Sequence, residues 1–147
     1  MTARTITVPG EPIAKGRPRF YAGRAYTPAR TREYESQIKK TYGTSYGSEE
    51  PMTGPVSVCV SAYFKIPSGW SKSKTAEAQR YDILPTKKPD VDNLLKIALD
   101  GLNGLAWQDD SQVVSVSGQK YYSDTPRMEI TVYPVAGEGN KGQRNEA

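Results

Sequence analysis

The chain has 147 residues, with 20 Lys and Arg, 16 Asp and Glu, one Cys and no His. This length favours a single domain built around one core. The absence of His excludes a Ser-His-Asp triad, a Cys-His pair and a His-ligated zinc. A single Cys cannot close an intrachain disulfide. If the chain is an enzyme, a metal held by oxygen ligands is therefore the leading candidate cofactor.

No apolar run reaches the roughly 18 residues that a membrane-spanning helix needs, and the first residues lack the apolar core of a signal peptide. Because no disulfide can form either, we predict a cytoplasmic protein with no membrane partner. The lone Cys59 lies between Val58 and Val60, which indicates a small, buried strand residue.

Hydrophobic alternation and turn residues divide the chain into four strands and two main helices. In chain order, the predicted elements are a strand at 5–8, a loop or hairpin at 11–27, a helix from 28 to about 40, a loop at 43–54, a strand at 55–64, a basic excursion at 67–88 with a short helix near 74–80, a helix over 91–102, and strands at 112–122 and 128–133. The order β-α-β-α-β-β predicts an α+β fold in which two main helices pack on one mixed sheet. We expect one domain over residues 1–136 and a disordered tail over residues 137–147.

Each main helix has a recognisable start. Thr27 before Pro28 is typical of an N-cap followed by Pro at the first helical position, although the apolar stripe of that helix is thin. In the second helix, Asp90 occupies the N-cap position, and Gly101 and Gly104 mark the end. Its apolar face follows helical spacing and consists of Val91, Leu94, Leu95, Ala98, Leu99 and Leu102.

Charge is distributed unevenly along the chain. Residues 1–47 hold nine Lys and Arg against three Asp and Glu, and residues 65–88 hold six against two. Residues 89–112 instead hold five Asp and one Lys. An acidic cluster between basic arms is the balance expected where carboxylates hold a divalent metal while cations hold a phosphodiester. The alternative explanation of this charge distribution is a random arrangement of charged residues on the protein surface.

The five acidic residues of this cluster fall within 21 positions and are Asp90, Asp92, Asp100, Asp109 and Asp110. Helical spacing puts Asp92, Lys96 and Asp100 on one stripe, opposite the apolar face. A short connection could fold the Asp109-Asp110 pair back toward the helix start. Three carboxylates meeting there could bind a hard cation such as Mg²⁺, which would stabilise a pentavalent phosphate and activate water.

Each of these residues also has a structural interpretation. Asp90 could act only as a helix cap, Asp92 and Asp100 could only pair with Lys96, and the Asp109-Asp110 pair could form only a turn. Five Asp in so small a region nevertheless repel one another, and a bound cation or raised pKa values must relieve that repulsion.

Cations and aromatic residues alternate over residues 15–26. Such a segment can contact phosphates and stack on unpaired bases, whereas the alternative is a solvated loop with surface tyrosines. The predicted DNA contacts in the two basic segments are Lys15, Arg17, Arg19, Arg24, Lys87 and Lys88.

Three motifs together resemble the RusA family of Holliday junction resolvases. They are Lys88-Pro-Asp-Val-Asp-Asn-Leu-Leu-Lys96, Asp100-Gly-Leu-Asn-Gly104 and Asp109-Asp-Ser-Gln-Val-Val114. The segments Pro12–Arg19 and Pro126–Ile130 are similar to members found in phages and prophages. The resemblance extends over about residues 4–134.

This resemblance implies a dimeric, Mg²⁺-dependent endonuclease, with Mn²⁺ as a substitute ion, that nicks four-way DNA junctions symmetrically in recombination and repair. It assigns catalytic roles to Asp90, Asp92, Asp110 and Lys96. The same three Asp are the implied metal ligands, with Asp109 as an additional candidate. Lys96 either faces the phosphate or only pairs with its acidic neighbours. The alternative functions are a broader branched-DNA nuclease acting on forks and flaps, and a non-catalytic junction-binding protein.

Overall fold

A four-stranded mixed sheet carries the helices of this protein on one face. The computed structural model describes residues 2–17, 19–26 and 28–135. The elements are β1 (Arg4–Pro9), β2 (Arg19–Tyr21), β3 (Arg24–Tyr26), α1 (Ala29–Tyr46), β4 (Val56–Lys65), α2 (Lys72–Gln79), α3 (Val91–Leu102), a 3₁₀ turn (Asp110–Gln112), β5 (Val113–Ser123) and β6 (Arg127–Pro134). The predicted α+β class is confirmed, and the predicted tail at 137–147 lies outside the described residues.

The sheet has the strand order β1-β6-β4-β5. The β4 and β5 strands are parallel, whereas β6 is antiparallel to both β1 and β4. The predicted alternation of β4 is confirmed, since Val56, Val58 and Val60 are buried against the helices. β2 and β3 form a separate antiparallel hairpin, which confirms the hairpin alternative for residues 11–27 and adds a second small sheet.

The first main helix differs from its prediction at both ends. α1 begins after Pro28, which occupies the N-cap position, and continues to Tyr46. Thr27, the predicted cap, lies outside the described residues. The predicted loop at 43–54 was therefore too long. Tyr34, Ile38 and Tyr42 form a buried stripe along the whole helix. A hydropathy pattern shows this stripe only weakly, because tyrosines contribute to it.

α3 begins where predicted, after Asp90, but Gly101 does not end it. A Cβ at Gly101 would lie 2.8 Å from Cγ2 of Ile38, so the glycine allows close packing of α3 against α1. The buried face also includes Ile97, whereas Val91 is exposed. None of the described helices is long and apolar enough to cross a membrane.

The sheet face opposite the core is largely polar. Cys59 lies there half-buried, with its Sγ 3.7 Å from Oε1 of Gln119. The prediction of a buried Cys59 was wrong because alternation along β4 directs residues 56, 58 and 60 to the core and residue 59 to the other face.

Candidate active site and nucleic-acid interface

Two carboxylates with no partner among the described residues lie at the start of α3. Asp90 is in the N-cap position with extended backbone, yet its side chain makes no cap hydrogen bond. Asp92 follows in the first turn, and both residues are exposed. Neither carboxylate makes a hydrogen bond or ion pair with the described residues. Asp90 thus occupies the predicted N-cap position, but its carboxylate does not make the hydrogen bond of a cap.

Lys96 lies one helical turn beyond Asp92 and is exposed. It forms no ion pair with any described residue, because Asp100 pairs instead with Lys15, whose Nζ lies 3.1 Å from Oδ2 of Asp100. The interpretation in which Lys96 serves only to pair with Asp92 and Asp100 therefore fails. Among the described residues, the Lys96 ammonium therefore lies one turn from the Asp92 carboxylate with no ion-pair partner.

Lys120 fixes the backbone that leads into this acidic pair. Its Nζ donates hydrogen bonds to the carbonyl oxygens of Lys87 (2.7 Å) and Pro89 (2.9 Å). Sequence reasoning did not identify Lys120, because nothing in its own strand indicates a contact 31 positions away. The first turn of α3 also packs on β5, where a Cβ at Gly118 would lie 2.8 Å from Cδ2 of Leu95.

The Asp109-Asp110 pair divides into two roles. Asp109 caps the 3₁₀ turn, accepting a 3.0 Å hydrogen bond from the backbone N–H of Ser111. Hydrogen bonds from the Ser111 side chain and backbone lower the pKa of Asp109. The Oε1 of Gln112 accepts a hydrogen bond from the backbone N–H of Asp109, which completes the capping box. Its Nε2 donates to the carbonyl oxygens of Met52 and Gly54, both at 2.9 Å. The turn interpretation thus holds for Asp109.

Asp110 is oriented by a buried tryptophan. The indole Nε1 of Trp107 donates to Oδ1 of Asp110 at 2.9 Å. Trp107 is fully buried and belongs to the main core. This contact leaves Oδ2 of an exposed Asp110 without a hydrogen bond from the described residues.

The expected convergence of three carboxylates does not occur within one chain. Over the part of the chain that the structure describes, no three Asp, Glu, Cys or His side chains form a group that could hold a metal. The acids at the start of α3 and the acid before β5 are far apart because β5 runs antiparallel to α3. Asp90 therefore lies near Lys120, at the far end of β5, whereas Asp110 precedes its start. The helix alone, at 12 residues, separates the two ends by roughly 18 Å.

A basic cleft of about 610 Å³ opens beside Asp90. Three of the predicted DNA contacts, Arg17, Arg19 and Lys88, line it, and so does Arg30, which the sequence analysis missed. Of the other predicted contacts, Arg24 lies exposed on the β2–β3 hairpin and Lys87 is exposed near Asp90. The cleft places several cations next to Asp90.

Lys15 also lines the cleft, but its charge is already paired. Its Nζ lies 2.6 Å from Oε1 of Glu35 and 3.1 Å from Oδ2 of Asp100. Partial burial lowers the pKa of Lys15, but the hydrogen bonds to Glu35 and Asp100 outweigh this effect and raise it overall. The backbone N–H of Lys15 donates to the carbonyl oxygen of Asn93 at 3.0 Å. These bonds tie the loop to α1 and α3, and they favour a positioning role for Lys15 over a phosphate contact.

We expect Lys15→Ala and Arg17→Ala to differ. Lys15→Ala should lower the free energy of unfolding by about 1 kcal/mol, as for a favourable ion pair near the surface, and leave the salt dependence of DNA binding unchanged. Arg17→Ala should leave stability unchanged and reduce the slope of log K against log salt by about 0.9, the value for one lost phosphate contact. Thermal melting and DNA titrations at several salt concentrations measure both effects. A reduced slope for Lys15→Ala would show instead that Lys15 binds phosphate.

Free carboxylates, a free lysine and an adjoining basic cleft are features expected of an enzyme that cuts nucleic acid. Residues 9–133 match the family model described as Endodeoxyribonuclease RusA. The chain therefore belongs to the RusA family of endodeoxyribonucleases, which confirms the resemblance and the enzyme class. Nucleases of this family are generally dependent on a divalent metal, and the family implies a branched DNA substrate.

A relative from Bacillus subtilis (strain 168), named Uncharacterized protein YqaN, is 40% identical over 137 residues. The match covers 89% of this chain and 96% of that protein. The similarity therefore extends over most of this chain and nearly the whole of the relative.

Proposed function

We propose that this protein is a Mg²⁺-dependent, homodimeric nuclease that binds four-way DNA junctions in the cytoplasm and resolves them by symmetric phosphodiester hydrolysis. The observation that carries the proposal is a pair of carboxylates at the start of α3 that have no partner among the described residues, Asp90 lining a basic cleft and Asp92 following it in the first turn, in a RusA-family chain. Unpaired carboxylates beside DNA would repel its phosphates unless a cation lay between them. The arrangement therefore favours an enzyme over a non-catalytic junction-binding protein.

The residues fit a hard divalent ion such as Mg²⁺, which one or two protein carboxylates hold together with waters and substrate phosphate. Asp90 and Asp92 offer carboxylate oxygens, the ligands that Mg²⁺ prefers. Such an ion, when bound, stabilises negative charge on the phosphate and lowers the pKa of a bound water. Lys96 adds a cation on the phosphate side. Within one copy of the described chain, however, the third acid, Asp110, lies at the opposite end of α3.

A second copy of the chain supplies the missing carboxylate in our proposal. β5 is an edge strand of 11 residues, and such an edge is a template for pairing with another strand. It also carries exposed apolar side chains, with Val114 at 61% and Val116 at 37% exposure. Pairing with a second β5 would cover these valines and extend the sheet across the dimer.

Twofold symmetry then determines which groups meet. Two identical edge strands related by a twofold axis normal to the sheet pair antiparallel, so the start of one strand lies beside the end of the other. Asp110 of the partner subunit, just before its β5, thereby approaches the Lys120 end of this strand. Lys120 holds the backbone at Pro89, next to Asp90. The dimer thus has two composite sites, as two symmetric nicks require.

The test of this function uses labelled four-way, forked, flapped and linear DNA of matched sequence, each with Mg²⁺, with Mn²⁺ and with a chelator. We expect paired, symmetric nicks in the four-way junction with either metal and no nicking in the chelator. Linear duplex should remain intact. Equal rates on forks and flaps would indicate the broader branched-DNA nuclease, whereas metal-independent binding without nicking by folded protein would indicate a junction-binding protein.

A further inference from the structure

The β2–β3 hairpin presents large aromatic side chains to solvent. Phe20 is 76% exposed and Tyr21 is 79% exposed, while Tyr26 is 44% exposed. Its two-residue turn consists of Ala22 (φ 53°) and Gly23 (φ 77°), the pair of left-handed residues that a tight type I′ hairpin requires. So much exposed ring surface on a short hairpin is typical of an interaction site rather than of a packing element.

The hairpin has two chemically different faces. The strand pairs Arg19↔Tyr26 and Tyr21↔Arg24 lie on one face, because residues two apart along a strand share a face. That face alternates guanidinium groups with tyrosine rings. The pair Phe20↔Ala25 lies on the other face. Phe20 therefore stands beside a small residue, and its ring is open to a flat partner.

The positive charge of the hairpin and of the adjoining cleft indicates that the partner is a nucleic acid. Arg19 belongs both to the hairpin and to the basic cleft beside Asp90. A strand of DNA bound in the cleft would therefore lie against the arginine face, where cations and aromatic rings together suit a phosphate backbone and its bases. The opposite face, with Phe20, is then directed away from that strand.

A branch point differs from the interior of a duplex, because the base pairs that flank the branch can lose the stacking neighbour on one side. We propose that Phe20 stacks on such an open base-pair face at the branch and so provides selectivity for branched over linear DNA. The arginine face of the hairpin holds the backbone of the adjoining arm. This inference rests on the proposed function only in taking branched DNA as the substrate.

The test measures the ratio of affinities for a four-way junction and for a linear duplex, in chelator so that no cleavage occurs. Phe20→Ala and Phe20→Leu should each lower this ratio by roughly tenfold, the order expected for one lost aromatic-base stack. Phe20→Trp keeps a flat ring and should stay within about twofold of wild type, since every base offers a π-face to an aromatic partner. Arg24→Ala should weaken both complexes equally and reduce the salt slope, because it removes only a phosphate contact.

Tyr133→Ala is the matched control, since Tyr133 is also exposed, at 45%, but lies on β6. It should leave the ratio unchanged. Equal loss of both affinities in Phe20→Ala, or a wild-type ratio in Phe20→Leu, would overturn the stacking inference alone. A wild-type protein with no preference for the junction would instead overturn the proposed function together with this inference.

Discussion

Asp92→Asn is expected to reduce the nicking of four-way DNA by roughly two orders of magnitude or more, the scale seen when one group that stabilises transition-state charge is removed. Asparagine keeps the size of the side chain but removes a negative charge and an anionic metal ligand. The same change at Asp90 or Asp110 should have a similar effect. Lys96→Ala should also slow nicking, through loss of a cation rather than of a metal ligand.

Stability should change little in Asp92→Asn, because the Asp92 carboxylate has no hydrogen bond or ion pair with the described residues. Loss of its interaction with the helix dipole costs about 0.3–1 kcal/mol. Junction affinity in the absence of metal should hold or rise, since less negative charge faces the DNA. The measurements are nicking rates, thermal melting and metal-free binding for each variant. Asp82→Asn, which changes an exposed Asp paired with Arg80, serves as the charge-matched control.

Near-normal nicking by folded Asp92→Asn and Asp110→Asn proteins would remove the proposed metal site. The acidic cluster would then be a group of surface charges with no role in catalysis, which is the structural alternative to a metal site.

Much of the fold could be predicted because the spacing of apolar residues within a short segment indicates whether that segment is a strand or a helix. The alternating valines of β4 and the helical spacing of α3 each report one buried face. The full length of α1 could not be predicted in the same way. Its buried stripe contains Thr31, Tyr34 and Tyr42, residues whose polar atoms weaken a hydropathy pattern although their bulk fills the core.

The candidate site was predictable in composition but not in arrangement. The motifs predict Asp90, Asp92 and Asp110 as site residues, yet the direction of β5 relative to α3 is a tertiary property that no local pattern records. The same holds for Lys120 beneath Pro89, and for Lys15, whose two acidic partners are far apart in the chain. Counting charges along the sequence could not show which lysines are already paired.

A mixture of Asp90→Asn and Asp110→Asn proteins is expected to regain nicking activity that neither protein has alone. In a composite site, Asp90 of one subunit acts with Asp110 of the partner subunit. A mixed dimer therefore contains one site with both acids and one site with neither. Random exchange puts half of the subunits into mixed dimers, so about one quarter of the wild-type sites should be restored. Because each mixed dimer has one working site, its product should be singly nicked rather than resolved junctions.

The matched control is a mixture of Asp90→Asn and Asp92→Asn proteins. Both of these residues lie at the start of the same α3, so each site in the mixed dimer has one of its two α3 carboxylates replaced, and no activity should return. Light scattering on each mixture establishes that dimers are present, and incubation before assay allows the subunits to exchange. Restoration in the first mixture and not in the second requires Asp110 to act across the dimer from Asp90. Failure of both mixtures, with subunit exchange demonstrated by differently tagged chains, would show that each subunit must bring the three acids together by itself, through a rearrangement of the segment before β5.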